Sequence, residues 1–481
     1  MTSAIDKDIR DLPGNELLSY IQEEKRQLEK SGLLKKQKPF PPIPDELKPF
    51  QLPDNWKWVR LGDISRKIHY GYTASATYND TGVKMLRITD IQDNKVDWGK
   101  VPYCEIDNEK LEATRLYPKD ILFARTGGTV GKSFLVEQVE GVSVFASYLI
   151  RVQLMEPMNA EFIKFFFESP LYWKQIIDAV TGTGQPNVNA TSLSQLMVPI
   201  PSLTEQAEIV TKFKNGTMLT ENIRVKVAHE KKELVRYRQA ILQEAMQGKL
   251  VKQNLEEGTG HELLASLQLE EQKGGKKTYQ LSSVEKEREP HKVPTNWAWT
   301  RLGNIVTLLN GRAYKKPELL EEGKYPVLRV GNFFTNPSWY YSNLELEDNK
   351  YCDSGDLLYA WSASFGPKIW ENGKVIYHYH IWRVDHSSFL YKKFLYYMLL
   401  HDVNTIKDDT TGSTMIHISK ERMEKRLFAL PPFAEQQRIV EKLDAIMMLC
   451  DRLEEELETT KAEAENWYRA VLQEVFQPEV E

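Results

Sequence analysis

Apolar positions along this chain fall into two alternating patterns, and the alternation happens twice. From about Thr204 to Lys249, apolar residues recur at multiples of three and four in a charged background: Phe213, Ile223, Val227, Leu234, Tyr237 and Ile241. That spacing predicts one long helix with a single apolar stripe. The same slots return 230 residues later as Leu443, Leu453, Leu457, Ala464, Trp467 and Val471, with Ile446 and Cys450 filling the stripe further. The helix ends recur as well, EQAEIVTKF (205–213) as EQQRIVEKL (435–443) and AILQEAMQ (240–247) as AVLQEVFQ (470–477). A sustained stripe needs a partner helix, and the other copy is the nearest one, so an intramolecular coiled coil is expected. The competing expectation is that each helix packs on its own domain. At ~1.5 Å per residue a helix of about 43 residues is a rod on the order of 65 Å long. Asn215-Gly216 is expected to weaken the first helix and to mark a kink.

The second pattern precedes each long helix. PDNWKWVRLGDI (53–64) matches PTNWAWTRLGNI (294–305) at eight of twelve positions, offset 241. DILFARTGGTVGK (120–132) parallels DLLYAWSASFGPK (356–368), and TGTGQPNV (181–188) faces TGSTMIHI (411–418). Between these anchors lie β-type runs, VKMLRI (83–88), ILFA (121–124), VSVFASYLIRV (142–152) and KVIYHYHIWRV (374–384), and helix-type runs at 161–177 and 389–400. Each domain closes at a proline corner, PIPSL or LPPF, before its long helix. A short helix at about 15–30, echoed at 261–272, and a polar linker precede each domain.

The resulting division is an N-terminal helical extension and linker (1–50), a first mixed domain (51–203), a long helix (204–250), a short helix and linker (251–292), a second mixed domain (293–432) and a second long helix (433–481). The fold class is α+β: two mixed α/β domains in pseudo-twofold tandem repeat with two long helices. The extension echoes 261–292 and is expected to pack against the C-terminal end of the rod, closing the repeat.

Composition adds limits. A chain of 481 residues with net charge −5 exerts no general pull on nucleic acid, so any DNA contact depends on local patches. Residues 432–481 hold thirteen acidic against five basic side chains, which is either a solvated helix face or a partner surface. Three scattered cysteines, Cys104, Cys352 and Cys450, suggest neither a disulfide framework nor a zinc site, and favour a reducing cytoplasm. The first residues have no apolar core of a signal peptide, and FLYYMLL (394–400) is too short to span a bilayer.

The ordered set W-x-W-x-x-L-G-x-I, then [DG]-[IL]-L-[FY], then T-G, then P-[IL]-P-x-x-x-E-Q-x-x-I-V-x-K and a long helix, occurring twice, resembles the specificity subunit of type I restriction–modification enzymes. The resemblance covers nearly the whole chain. It implies two target-recognition domains, each reading half of a bipartite site in double-stranded DNA. It also implies an antiparallel coiled coil that spaces them and docks two methyltransferase subunits, with restriction (motor and nuclease) subunits joining that core. No cofactor belongs to such a chain itself. S-adenosylmethionine for adenine N6 methylation would serve the methyltransferase partner, and ATP and Mg the restriction partner. The location implied is cytoplasmic, in a prokaryote, associated with the nucleoid through DNA.

Candidate DNA-binding residues lie where the two copies diverge within a common frame. In the first domain they are Lys67, Tyr70, Tyr72, Thr73, Arg87, Arg125, Thr126, Lys132, Ser133, Gln185, Asn187 and Asn189. In the second they are Arg312, Tyr314, Lys315, Lys316, Arg329, Trp361, Ser362, Ser364, Lys368, Ser413 and His417. Basic side chains suit phosphates and guanine, amides suit adenine, and each residue taken singly is equally well a solvated loop position. Arg125 and Trp361 hold equivalent slots with different chemistry. The shared tryptophans, Trp56/Trp58 and Trp297/Trp299, cannot distinguish half-sites and are assigned to packing.

Two other classes fit fragments of the chain. Tandem β-rich domains on a coiled coil would suit an interaction scaffold. TGGTVGKS (126–133) looks like a phosphate-binding loop, but the motif needs glycine where Thr126 stands, and the second copy lacks Gly-Lys-Ser. LPPF (430–433) has Leu430 where an amino-methyltransferase carries asparagine. No catalytic and no metal-binding residue is expected.

Overall fold

A computed structural model describes residues 8–36, 38–92, 94–180, 188–273, 289–362, 364–409 and 417–476. The chain divides into two compact units, Met1–Val227 with Thr459–Glu481, and Ala228–Glu458. Both divisions fall inside long helices, Leu203–Met246 and Phe433–Phe476, of 44 residues each.

In the first unit a four-stranded antiparallel sheet runs in the order Ser65–Tyr70, Leu149–Leu154, Ile121–Ala124, Ser133–Leu135. In the second unit the order is Val306–Asn310, Ile381–His386, Leu357–Ser362, Ser364–Ile369, the same topology at equivalent positions. Each unit also has a parallel pair, Val83–Leu86 with Val142–Phe145 and Tyr325–Leu328 with Val375–Tyr377. The W-x-W strands close against the strand before the proline corner, Lys57–Arg60 on Met197–Ile200 and Ala298–Arg301 on Leu427–Leu430.

Two readings of the sequence are corrected. The runs 142–152 and 374–384 are each two strands, interrupted at Ala146-Ser147-Tyr148 and at His378-Tyr379-His380. The apolar run 161–177 is two helices, Ala160–Phe166 and Pro170–Val180, since a proline lacks the N–H that an uninterrupted helix would use there. The first long helix is unbroken through Asn215-Gly216. A Cβ at Gly216 would lie 3.3 Å from the Trp467 ring, so the missing side chain gives the partner helix room.

The helices pair in antiparallel sense within each unit. In the first, Phe213 stacks on Phe476, Thr217 Oγ1 donates to the Tyr468 hydroxyl at 3.1 Å, and Lys212 lies 4.0 Å from Glu474. In the second, Lys231 pairs with Glu458 and Glu454, and Arg238 with Asp451 at 2.7 Å. Phe213, Val227, Leu234, Leu443, Cys450 and Val471 are buried; Ile223, Ile241, Ile446, Leu457 and Ala464 are half-buried. Tyr237, Leu453 and Trp467 were expected in the seam but remain 51%, 46% and 47% exposed. Two helices cover only a narrow stripe of each other, and the flanks of that stripe face outward. At the helix ends the alternative expectation also holds, because Ile209, Val210 and Phe476 join the core of the first unit and Leu242, Met246 and Ile439 that of the second.

The N-terminal helix Gly14–Lys30 belongs to the first unit's core through fully buried Leu17 and Ile21. That core also contains Val471, Leu472 and Phe476 from the end of the second long helix. The helix Gly260–Lys273 fills the matching place in the second unit with Leu263, Leu264 and Leu267.

Candidate nucleic-acid interface

Each reading face starts from a repeated backbone arrangement. The strand Ser65–Tyr70 ends at Gly71, where a Cβ would fall 2.2 Å from the Phe145 carbonyl oxygen; at Gly311 it would fall 2.2 Å from that of Tyr377. Only glycine lets the chain pass so close. The next residues, Tyr72 and Arg312, bridge in parallel to Ala146 and His378 in the strand interruptions. On the other side, Arg125 N–H donates to the Tyr148 carbonyl and Trp361 N–H to that of His380 (3.2 and 3.1 Å). Val188 N–H then donates to the Arg125 carbonyl at 3.1 Å, and Ile418 N–H to the Trp361 carbonyl at 3.4 Å. Positions 72, 125, 146–148 and 188 therefore form one neighbourhood, repeated by 312, 361, 378–380 and 418.

In the first unit this neighbourhood opens on a cleft of about 640 Å³. Of the candidates, Tyr72, Thr73, Arg87 and Thr126 line it, together with the Gly127–Thr129 turn, Ser147 and Tyr148. The Arg125 guanidinium lies 4.8 Å over the Tyr70 ring, and the Tyr70 hydroxyl accepts the Ala190 N–H at 3.0 Å. Arg87 is committed to Asp90 through Nε (3.0 Å) and Nη2 (2.7 Å), a pairing that raises its pKa further above the ordinary guanidinium value. Exposed Asn189 caps a short helix by accepting Ser192 N–H at 2.8 Å. Lys67, Lys132 and Ser133 do not line the cleft. Lys67 is exposed on its strand opposite Gln153, its pKa lowered by desolvation and then by Arg151. Ser133 is buried at the start of a strand. The TGGTVGKS segment joins two antiparallel strands, whereas a phosphate-binding loop leads from a strand into a helix. Gln185 and Asn187 lie outside the described residues, as does Ser413 of the second unit.

The second unit's face is aromatic. Trp361 stacks on Trp382, donates Nε1–H to the Tyr379 carbonyl at 2.9 Å, and meets the His380 ring edge-on at 4.9 Å. His378 contacts Tyr379 and His380 and stacks with Tyr314. Burial pushes the His378 pKa down to about 4, with His380 and Arg329 adding to the effect, and burial lowers that of His380. Both rings are thus neutral near pH 7, each with one donor and one acceptor nitrogen. Arg329 lies 4.2 Å over Tyr340, and Arg312 pairs with Glu318 at 2.7 Å. Ser362 bridges to His417, which is exposed. Ser364 starts the neighbouring strand, opposite Ser362. Lys315 and Lys316 are exposed, and Lys368 Nζ is taken by the Phe333 carbonyl at 3.1 Å. Sequence reading missed Tyr148 and the His378-Tyr379-His380 triplet. The signal was there, since Ala-Ser-Tyr and His-Tyr-His occupy one slot with unlike chemistry.

The shared tryptophans hold each face to its long helix. Trp56 Nε1 and Asn55 Nδ2 donate to Glu205 at 2.8 and 3.0 Å, and Trp297 Nε1 and Asn296 Nδ2 to Glu435 at 3.0 and 3.1 Å. Among the described residues no cluster of side chains has the make-up of a metal site, and no helix is long and apolar enough to cross a membrane.

The model of the type I restriction modification DNA specificity domain matches twice, at residues 53–229 and 294–461. The chain belongs to that family. It is a DNA-specificity subunit, a recognition component with no catalytic role of its own. The specificity subunits of the type I restriction enzymes EcoAI and EcoEI from Escherichia coli are similar to this specificity subunit at 26% and 23% identity. Both alignments take in 95% of this chain and 88% of the relative. A solved chain from work on assembly and conformational transition of the type I R-M system aligns over 90% of this chain and 100% of its own length, with TM-score 0.66 and 20% identity. The HsdS subunit from Thermoanaerobacter tengcongensis aligns over 90% and 99%, with TM-score 0.53 and 18% identity. These two likenesses establish the shared fold.

Proposed function

We propose that each unit of this specificity subunit reads one half of an asymmetric, interrupted target in double-stranded DNA. The observation that carries this is one backbone frame presenting Arg125 and Ala-Ser-Tyr in one copy but Trp361 and His-Tyr-His in the other. The paired helices then set the spacing between half-sites and dock two methyltransferase subunits, to which restriction subunits add. Their outward apolar residues support one partner bound twice, because they come in equivalent pairs: Met218 and Met448, Leu219 and Leu449, Tyr237 and Trp467. S-adenosylmethionine would be used by the methyltransferase, ATP and Mg by the restriction subunits, in the cytoplasm and at the nucleoid. Mapping methylated adenines in a host that expresses this chain with its methyltransferase tests the reading. One motif of two unlike half-sites with a fixed gap is expected; scattered or palindromic methylation would refute it.

A further inference from the structure

The structure singles out one side chain as the discriminating reader of the first half-site. We infer that Arg125 recognises guanine in the major groove, an assignment that rests on the DNA-reading role proposed above. The backbone of Arg125 is pinned on both sides, its N–H to the Tyr148 carbonyl and its carbonyl to Val188 N–H, so the side chain starts from a fixed point. Its guanidinium lies over the ring of Tyr70, which is itself held by the Ala190 N–H. Yet its hydrogen-bonding capacity is unused: Nε is buried without a partner, and the terminal nitrogens bond to no group among the described residues. A planar fork held over a tyrosine ring, with no hydrogen-bond partner among the described residues, matches the O6 and N7 acceptors of guanine.

The alternatives within the same unit are weaker. Arg87 is engaged by Asp90, and an arginine recurs at the equivalent position as Arg329, so it cannot tell one half-site from the other. Position 125 does the opposite, since Trp361 keeps the same backbone contacts and offers one indole N–H that is already bonded to Tyr379. The slot persists while its chemistry changes, as a specificity-determining position requires. The second half-site accordingly has no guanine requirement read from this slot.

The full chain, assembled with its methyltransferase subunits, is used to select bound duplexes from a randomised library, alongside Arg125→Ala, Arg125→Lys and Trp361→Ala. Wild type is expected to enrich one bipartite motif; failure there refutes the DNA-reading role itself, not only the present assignment. Given that motif, Arg125→Ala should lose about tenfold to hundredfold of the preference for guanine at one position of one half-site, with the other half-site unchanged. Arg125→Lys, which keeps the charge but not the fork, should lose several-fold of the same preference, and it decides the matter if the alanine variant does not assemble. Trp361→Ala should leave the guanine position intact. An unchanged motif in both Arg125 variants, or a uniform affinity loss with a shallower salt dependence, would overturn the assignment, the latter by showing a phosphate contact.

Discussion

Replacing Glu435 with alanine removes the acceptor of three donors at once: Gln253 Nε2 at 2.7 Å, Trp297 Nε1 at 3.0 Å and Asn296 Nδ2 at 3.1 Å. Glu435 and Asn296 are fully or almost fully buried, and so is Trp297. A hydrogen bond to a charged group contributes roughly 1.5–3 kcal/mol, and a stranded buried donor costs about 1–3 kcal/mol. The three donors share one site, so their losses do not add, and about 3–5 kcal/mol is expected for the substitution. Glu205 provides the internal control. It accepts from two donors, and Asn55 is exposed, so water can replace part of what is lost. Glu205→Ala should cost about 1–2 kcal/mol. Urea unfolding of the full chain, followed by tryptophan fluorescence, measures both. Hydrogen exchange at residues 294–301 and 53–60 assigns each loss to its unit. Equal losses in the two variants, or a loss below about 1 kcal/mol for Glu435→Ala, would refute the reasoning from burial.

Other consequences can be checked separately. Gly311→Ala forces a Cβ to 2.2 Å from the Tyr377 carbonyl oxygen, so methylation mapping should show a degraded second half-site and an intact first one, with Gly71→Ala doing the reverse. His69 accepts from Arg151 Nε at 3.0 Å, and burial, with Arg151 adding, pushes its pKa down to about 3. The unfolded chain protonates this imidazole near pH 6.5 and the folded chain does not, so stability is kept above that pH and lost as pH falls toward 3. The loss is about 2 kcal/mol at pH 5, measurable as a drop in urea midpoint that His69→Gln abolishes. Removing residues 1–30 strips fully buried Leu17 and Ile21 from the first core and should cost about 3–6 kcal/mol in urea unfolding of that unit. Adding one heptad to both long helices, within 214–235 and its counterpart, lengthens the pair by about 10 Å. The methylated motif should then show a wider gap and unchanged half-sites, and altered half-sites would count against the spacing role.

The sequence made the duplication legible because the offset between copies stays at 230 through both long helices, and helical periodicity survives any surface chemistry. The strand interruptions were not legible. Ala146-Ser147-Tyr148 and His378-Tyr379-His380 carry residues that strands also favour, with no glycine or proline inside to announce a break. Their cause lies outside the run, at Gly71 and Gly311, whose chain passes against those carbonyls. Pro170 did announce the break in 161–177, and the apolar spacing masked it. Within the candidate site, residue type identified donors but not commitments. Arg87 and Arg125 look alike in sequence, and only the fold shows that Asp90 takes the hydrogen bonds of one while the other lies over Tyr70 with no hydrogen-bond acceptor among the described residues.

The position of the division at Val227/Ala228 and Glu458/Thr459 has a further consequence. Each unit draws its helical base from both long helices, and the first unit is assembled from two separate stretches of sequence. Two identical half-length chains joined through such a base would be bound by symmetry to read palindromes. Fusing the halves into one polypeptide frees each to mutate alone. Divergence at a single slot such as 125/361 then creates a new target without any compensating change in the other copy.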